Sequence, residues 1–170
     1  TSQIATVPVY TGTTAPTLTT RVNVNGYLYA TRVYNAVFND YAECFNSDYH
    51  IEDIKYRIVE IKNGKAHPAT EESEAVIGVV STTYGILLHG TEEDIQKGVK
   101  LPIGMAGTLM VDAENIVEEK DINRFVCSGV DGKARVIPKG EAYIYEGCIV
   151  GKVIGIDTAT NQYKLLIMLK

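Results

Sequence analysis

Several features that usually reveal a function are missing from this chain. It has no tryptophan, and its three cysteines, Cys44, Cys127 and Cys148, form no CxxC pair. We therefore expect neither a disulfide framework nor a zinc site, and a reducing compartment is the default. No apolar run approaches the ~20 residues of a membrane-spanning helix. The net charge of −5 gives no basic face for nucleic acid or an anionic membrane, so we expect neither as a partner.

Cofactor motifs are missing as well. His50, His67 and His89 lie far apart without metal-ligand spacing, and there is no GxxxxGKS or GxxxxGKT motif. The sequence therefore predicts no metal and no cofactor, and it gives no support for a bound nucleotide.

The length of 170 residues and the hydrophobic content of 45% predict one domain with a real core, plus a tail. The first residues, Thr1-Ser2-Gln3-Ile4, lack Met and a basic region, so we expect a piece of a longer protein and not a signal peptide. Residues 1–20 are rich in Thr, and residues 21–33 predict a hairpin around Asn25-Gly26. We place a leader with a hairpin at 1–38 and the domain at 39–170.

The rest of the chain alternates short apolar runs with turn residues. Asn63-Gly64 predicts a second hairpin, and the run 75–81 predicts a buried strand in which Gly78 marks a bulge or a close backbone approach. Residues 91–97 predict a short helix, with Thr91 as its N-cap and Gly98 after its end. Asn46-Ser47-Asp48 offers another N-cap for a helical turn within 49–56. Further strands are expected at 86–88, 101–111, 123–128, 134–137, 147–156 and 163–169. This spacing predicts a mainly β fold, a barrel-like arrangement or a sandwich of short antiparallel strands with one short helix.

The border between leader and domain carries two acids, in the run Asn39-Asp40-Tyr41-Ala42-Glu43. Two adjacent carboxylates that share a proton suit acid–base work on an amide. If the Asn39 carbonyl is the target, Glu43 reaches it only when the stretch is turned, because four residues of extended chain span roughly 13 Å. Otherwise Glu43 acts on the bond of a neighbouring chain. The Asn39 side chain offers a third route, attack on its own carbonyl.

The same run resembles the Asp-Tyr-Ala-Glu signature that opens the self-cleaving C-terminal domain of phage neck-appendage, tailspike and tail-fibre proteins. Four later stretches are similar to strands of that family: Ile77-Gly78-Val79-Val80-Ser81, Gly104-Met105-Ala106-Gly107-Thr108-Leu109, Gly151-Lys152-Val153-Ile154 and the ending Leu165-Leu166-Ile167-Met168-Leu169-Lys170. The resemblance covers about residues 38–170.

The resemblance implies a glutamic-type autopeptidase that acts as an intramolecular chaperone. It implies a homotrimer that brings the upstream fibre or spike stalk into register and then cuts itself off. Glu43 would be the catalytic acid, Asp40 the new N-terminus and a second carboxylate, and Asn39–Asp40 the cleaved bond. The implied location is a virion tail structure or its assembly intermediate, made in the host cytoplasm. Because the family usually has Ala or Ser where this chain has Asn39, a non-catalytic trimerisation or attachment module that keeps its leader stays the alternative.

Three other sets of residues suggest different roles. Ser81 with Lys100 or Lys152 would suit a serine/lysine self-cleavage at Ala106-Gly107, but no supporting motif surrounds Ser81. Cys44 beside Glu43 is interpreted as a packing residue, because nearby acids raise a thiol pKa. The eleven tyrosines suit either a subunit interface or ordinary strand positions.

Overall fold

The computed structural model describes residues 40–168. The leader, the hairpin expected at 21–33 and Asn39 lie outside the described residues, so the predicted boundary at residue 39 stays a prediction. The described part has ten strands: β1 Asp40–Asn46, β2 Ile58–Lys62, β3 Lys65–Pro68, β4 Val76–Val80, β5 Tyr84–Leu88, β6 Lys100–Asp112, β7 Phe125–Ser128, β8 Ala134–Val136, β9 Gly151–Asp157 and β10 Gln162–Ile167. It has two short α-helices, α1 Ile51–Ile54 and α2 Glu92–Gln96, and 3-10 turns at Glu119–Asp121 and Val130–Gly132.

The strands form one open sheet in the order β3-β2-β4-β6-β10-β9-β7-β8. Two strands lie outside this order: β1 pairs with β6, and β5 pairs with β1. Every pairing of these strands is antiparallel except that of β1 with β5, which is parallel. Because the path ends at β3 and β8 without closing, the fold is consistent with a sandwich and not with a closed barrel. The predicted mainly β class is confirmed.

The long strand β6 joins the two parts of the sheet. Its first part pairs with β1 and, at Ile103 and Gly104, with β4, whereas Thr108–Asp112 pairs with β10. Two apolar clusters follow this division. One gathers around Val111, Val153 and Tyr163, and the other gathers around Val59, Leu101 and Ile103.

Local sequence explains several elements. Asn63 and Gly64 both have positive φ, 53° and 75°, as the tight turn between β2 and β3 requires. Thr91 caps α2 in a reciprocal capping box with Asp94, and Gly98 after the helix has φ 67°. Both predictions are confirmed. Gly78 lies in β4 with φ 154°, where a Cβ would clash with the Gly104 carbonyl oxygen, so the predicted close backbone approach is also confirmed.

The helix α1 is the main addition to the expected elements, because one short helix was predicted and two are present among residues 40–168. Its N-cap is His50, whose ring accepts a hydrogen bond from the Glu52 amide, rather than a residue of the run 46–48. Ser47 of that run instead donates to the Ala66 carbonyl at 2.9 Å. None of the described helices is long and apolar enough to cross a membrane.

Candidate active site on the first strand

The border residues form an extended strand. β1 lies between β6 on one edge and β5 on the other, so it is hydrogen-bonded along both sides. Its burial alternates, with Asp40, Ala42 and Cys44 buried and Tyr41, Glu43 and Phe45 partly exposed. This is the two-residue period of a strand with one face in the core. A turned conformation, one of the two geometries expected for cleavage, is therefore not present in β1.

The Asp40 carboxyl group is buried on the inner face. Its Oδ1 accepts hydrogen bonds from the Ser81 hydroxyl at 3.0 Å and the Thr83 hydroxyl at 3.4 Å, whereas its buried Oδ2 has no hydrogen-bond partner. A Cβ on Gly104 would lie 2.7 Å from Oδ2, so glycine is needed there. Burial raises the Asp40 pKa above 3.8, and the two hydroxyl hydrogen bonds oppose this shift. Burial of this carboxyl group therefore works against its charged form.

Glu43 lies on the opposite face, with 28% of its side chain exposed. Its Oε1 is 2.6 Å from Nδ1 of His89. Glu43 is paired with Leu88 in the parallel register of β5, and His89 is the next residue. No sequence pattern joins these two residues, because 46 positions separate them and only the β1–β5 pairing brings them together.

The two predicted carboxylates are therefore not a pair within one chain. Asp40 and Glu43 are three residues apart in an extended strand, about 10 Å at ~3.3 Å per residue, and they point to opposite faces. They also have different hydrogen-bond partners. The expectation of one proton shared between them is wrong for the single chain, because it required both acids on the same face.

The competing residue sets are separated too. Ser81 is fully buried and donates to Asp40, while Lys100 Nζ donates to the His89 carbonyl at 2.6 Å. Lys152 lies on β9, paired with Phe125 and Leu166. No serine/lysine pair is therefore formed by these residues. The Cys44 thiol has a raised pKa, caused first by burial and then by nearby acids including Glu43, which agrees with its interpretation as a packing residue.

The His, Cys, Asp and Glu side chains of the described residues were compared with the arrangement that a metal ion requires. No group of three or more His, Cys, Asp or Glu side chains in residues 40–168 is arranged to hold a metal ion. The acids of β1 are one buried side chain, Asp40, and one partly exposed side chain, Glu43, which contacts a histidine.

Comparison with known proteins gives a fold relationship. No family model matches the chain, and no curated protein matches it either. One solved structure, the C-terminal fragment of bacteriophage phi29 gene product 12, matches with a TM-score of 0.54 and 17% identity, over 77% of this chain and 100% of that fragment. This chain shares the fold of that fragment.

A second match is the pre-mature form of the same phi29 protein, with a TM-score of 0.60 and 18% identity over 86% of this chain. The match covers 24% of the pre-mature phi29 chain, so this chain corresponds to about a quarter of its length. At these identities the likeness concerns the fold, and it transfers no site residue from the phi29 protein to this one.

Proposed function

We propose that this chain is the C-terminal intramolecular chaperone of a phage tail spike or fibre. Residues 40–170 drive homotrimer formation and then cleave the Asn39–Asp40 bond, with Glu43 as the catalytic acid. Two lines of support meet here. The fold is that of the C-terminal fragment of a phage protein that also has a pre-mature form, and the Asp-Tyr-Ala-Glu run begins at the first described strand.

The observation that carries the proposal is the placement of Glu43. Its carboxylate lies on the partly exposed face of β1, in contact with His89. Within one chain it is about 10 Å along the strand from Asp40, whose nitrogen belongs to the bond to be cut. A side chain that stands perpendicular to its strand does not bridge that distance. Glu43 therefore acts on the bond of a neighbouring copy, and cleavage waits for assembly.

The reaction is hydrolysis with water as the second reactant. The Glu43 carboxylate takes a proton from a water molecule, whose oxygen attacks the Asn39 carbonyl carbon. The bond from that carbon to the Asp40 nitrogen then breaks, and the nitrogen receives the proton from Glu43. The products are an Asn39 carboxylate and a free Asp40 amine.

Intact-mass spectrometry of the purified chain over time tests the proposal. We expect two products, residues 1–39 and residues 40–170, and no cleavage in Glu43→Gln. The matched control is Glu52→Gln on α1, because Glu52 is exposed and distant in sequence from the bond; it should cut like wild type. If Glu43→Gln still cuts and Asn39→Ala does not, the Asn39 side chain breaks the chain and the role of Glu43 is wrong.

Light scattering tests assembly separately. Trimers whose chains stay at full length would show the alternative, a non-catalytic trimerisation or attachment module that retains its leader. A stable monomer at micromolar concentration would contradict both functions.

A further inference from the structure

His89 has an unusual backbone conformation for the residue that contacts Glu43. Its φ is 55°, in the left-handed region that non-glycine residues seldom occupy and that His, like Asn and Asp, tolerates better than most. Left-handed residues cost conformational free energy and cluster at functional sites. A side-chain contact with a histidine that is 74% exposed adds little stability in return, even where both groups are charged. Stability alone therefore gives a weak reason for this arrangement.

Two neighbouring contacts fix His89 in place. Its carbonyl accepts a hydrogen bond from Lys100 Nζ at 2.6 Å. Gly90, the next residue, lies directly against Cys44, so that a Cβ there would clash with the Cys44 sulfur. The turn after β5 is thus held against β1 beside Glu43, and the imidazole is presented to the carboxylate from a defined direction.

We propose that His89 is a positioning residue that fixes the orientation of the Glu43 carboxylate for peptide cleavage, an inference that rests on the function proposed above. With a proton on Nδ1, the ring donates to Oε1 of Glu43, which stops the carboxylate from rotating. The contact does not engage Oε2, which is the oxygen left to take a proton from water. His89 itself touches neither the water nor the bond.

Other titratable and charged groups lie on the elements packed around this pair. They are Lys100 from β6, Glu92 and Asp94 from α2, Tyr84 from β5 and Cys44 on β1 itself. The dependence of the cleavage rate on pH is therefore compared between variants that keep all these groups and differ only at His89.

The test measures the first-order rate of cleavage in His89→Ala and His89→Asn by intact-mass spectrometry between pH 5 and pH 9. His89→Ala should slow cleavage by on the order of 10²-fold, the scale of losing orientation in a catalytic site. His89→Asn keeps an amide nitrogen near the place of Nδ1 and tolerates the left-handed backbone, so it should recover much of the rate. Any difference in the shape of the pH profile between His89→Asn and wild type is then assigned to the exchange of the imidazole for the amide. The matched control, His67→Asn on β3, should cut like wild type, and thermal unfolding should confirm that all variants fold.

Two failures are distinguishable. If wild type cuts, Glu43→Gln does not and His89→Ala cuts at the wild-type rate, the positioning role is wrong while the proposed function stands. If assembled wild-type chains never cut, the proposed function fails and the role of His89 fails with it. A folded His89→Asn variant that is as slow as His89→Ala would also overturn the proposal, because the amide would then not replace the ring.

Discussion

Asp40 and Glu43 project from opposite faces of the same strand, although only two residues separate them. The first is fully buried against Ser81, and the second contacts His89 at the surface. Sequence proximity had suggested one catalytic pair, but the strand gives each acid a different environment. Burial raises the pKa of the inner acid, and the outer acid is partly exposed on the other face.

The first prediction concerns cleavage between chains. When Glu43→Gln chains carrying a distinguishing tag are refolded together with wild-type chains, the tagged chains should be cut at Asn39–Asp40, because a wild-type neighbour supplies the carboxylate. Mass spectrometry of the tagged species measures this. Tagged chains refolded alone are the control and should remain whole. Tagged chains that stay whole in mixed assemblies, while their wild-type partners are cut, would show that each chain cuts only itself.

The second prediction concerns the buried Asp40. Its pKa is raised above 3.8 by burial, so the folded state keeps a proton that the unfolded state loses. Ionisation therefore costs stability as pH rises from 3.8 through the raised pKa, and below 3.8 the cost is absent. The comparison uses chains kept whole by Glu43→Gln. The variant that also carries Asp40→Asn should become more stable relative to Glu43→Gln alone as pH rises from about 4 to 7.

Urea unfolding at several pH values measures this difference. Asp53→Asn, at an exposed position of α1, is the control and should show no comparable trend. A constant difference between the Asp40→Asn variant and its parent across this range would mean that the buried carboxyl group titrates normally.

The sequence predicts those parts of the fold that depend on near neighbours. The Asn63-Gly64 turn, the Thr91 cap of α2 and the glycine within β4 each follow from residues a few positions apart. The α1 cap was missed, because His50 accepts the hydrogen bond that Ser, Thr, Asp or Asn usually accepts.

The site depends on distant pairing, which local patterns do not specify. Asp40 meets Ser81 and Thr83 across 41 and 43 residues, and Glu43 meets His89 across 46. Ser81 and Thr83 directly precede β5, and His89 directly follows it. No local signal fixes β5 parallel to β1, so the sequence identified the acids but neither their faces nor their partners.

The third prediction tests the close approach of β4 and β6. Gly78→Ala should destabilise the domain by about 3 kcal/mol, because its Cβ would clash with the Gly104 carbonyl and lie 2.7 Å from Ile103 Cγ2 at a left-handed φ. Urea unfolding is the measurement. Gly155→Ala on β9 is the matched control, since its Cβ would first meet Lys164 at 3.6 Å; it should stay within about 1 kcal/mol of wild type. Equal costs for the two variants would contradict this account of Gly78.

The fourth prediction concerns Arg135 on β8, which binds Glu114 with two nitrogens, Nε at 2.6 Å and a terminal nitrogen at 2.9 Å. Chiefly because of these bonds, the Glu114 pKa falls to about 2 from 4.5. The contribution to stability is therefore complete above pH 4.5 and is lost as pH falls towards 2. Glu114→Gln should cost about 1.5–3 kcal/mol at pH 7, the range for hydrogen bonds to charged groups. That cost should shrink at pH 3.

Urea unfolding of both chains at pH 7 and pH 3, in the Glu43→Gln background, measures this change. Glu52→Gln is the control, because Glu52 forms an exposed ion pair with Lys55 and such pairs contribute little. Glu114 is only 16% exposed and also accepts from the Val130 amide at 3.0 Å, so Glu114→Gln replaces the charged acceptor of that amide. It also removes the charged partner of Arg135, whose contacts to Glu71 and Glu72 remain. A Glu114→Gln cost that is the same at both pH values would show that the bond geometry, and not the charge, stabilises this contact.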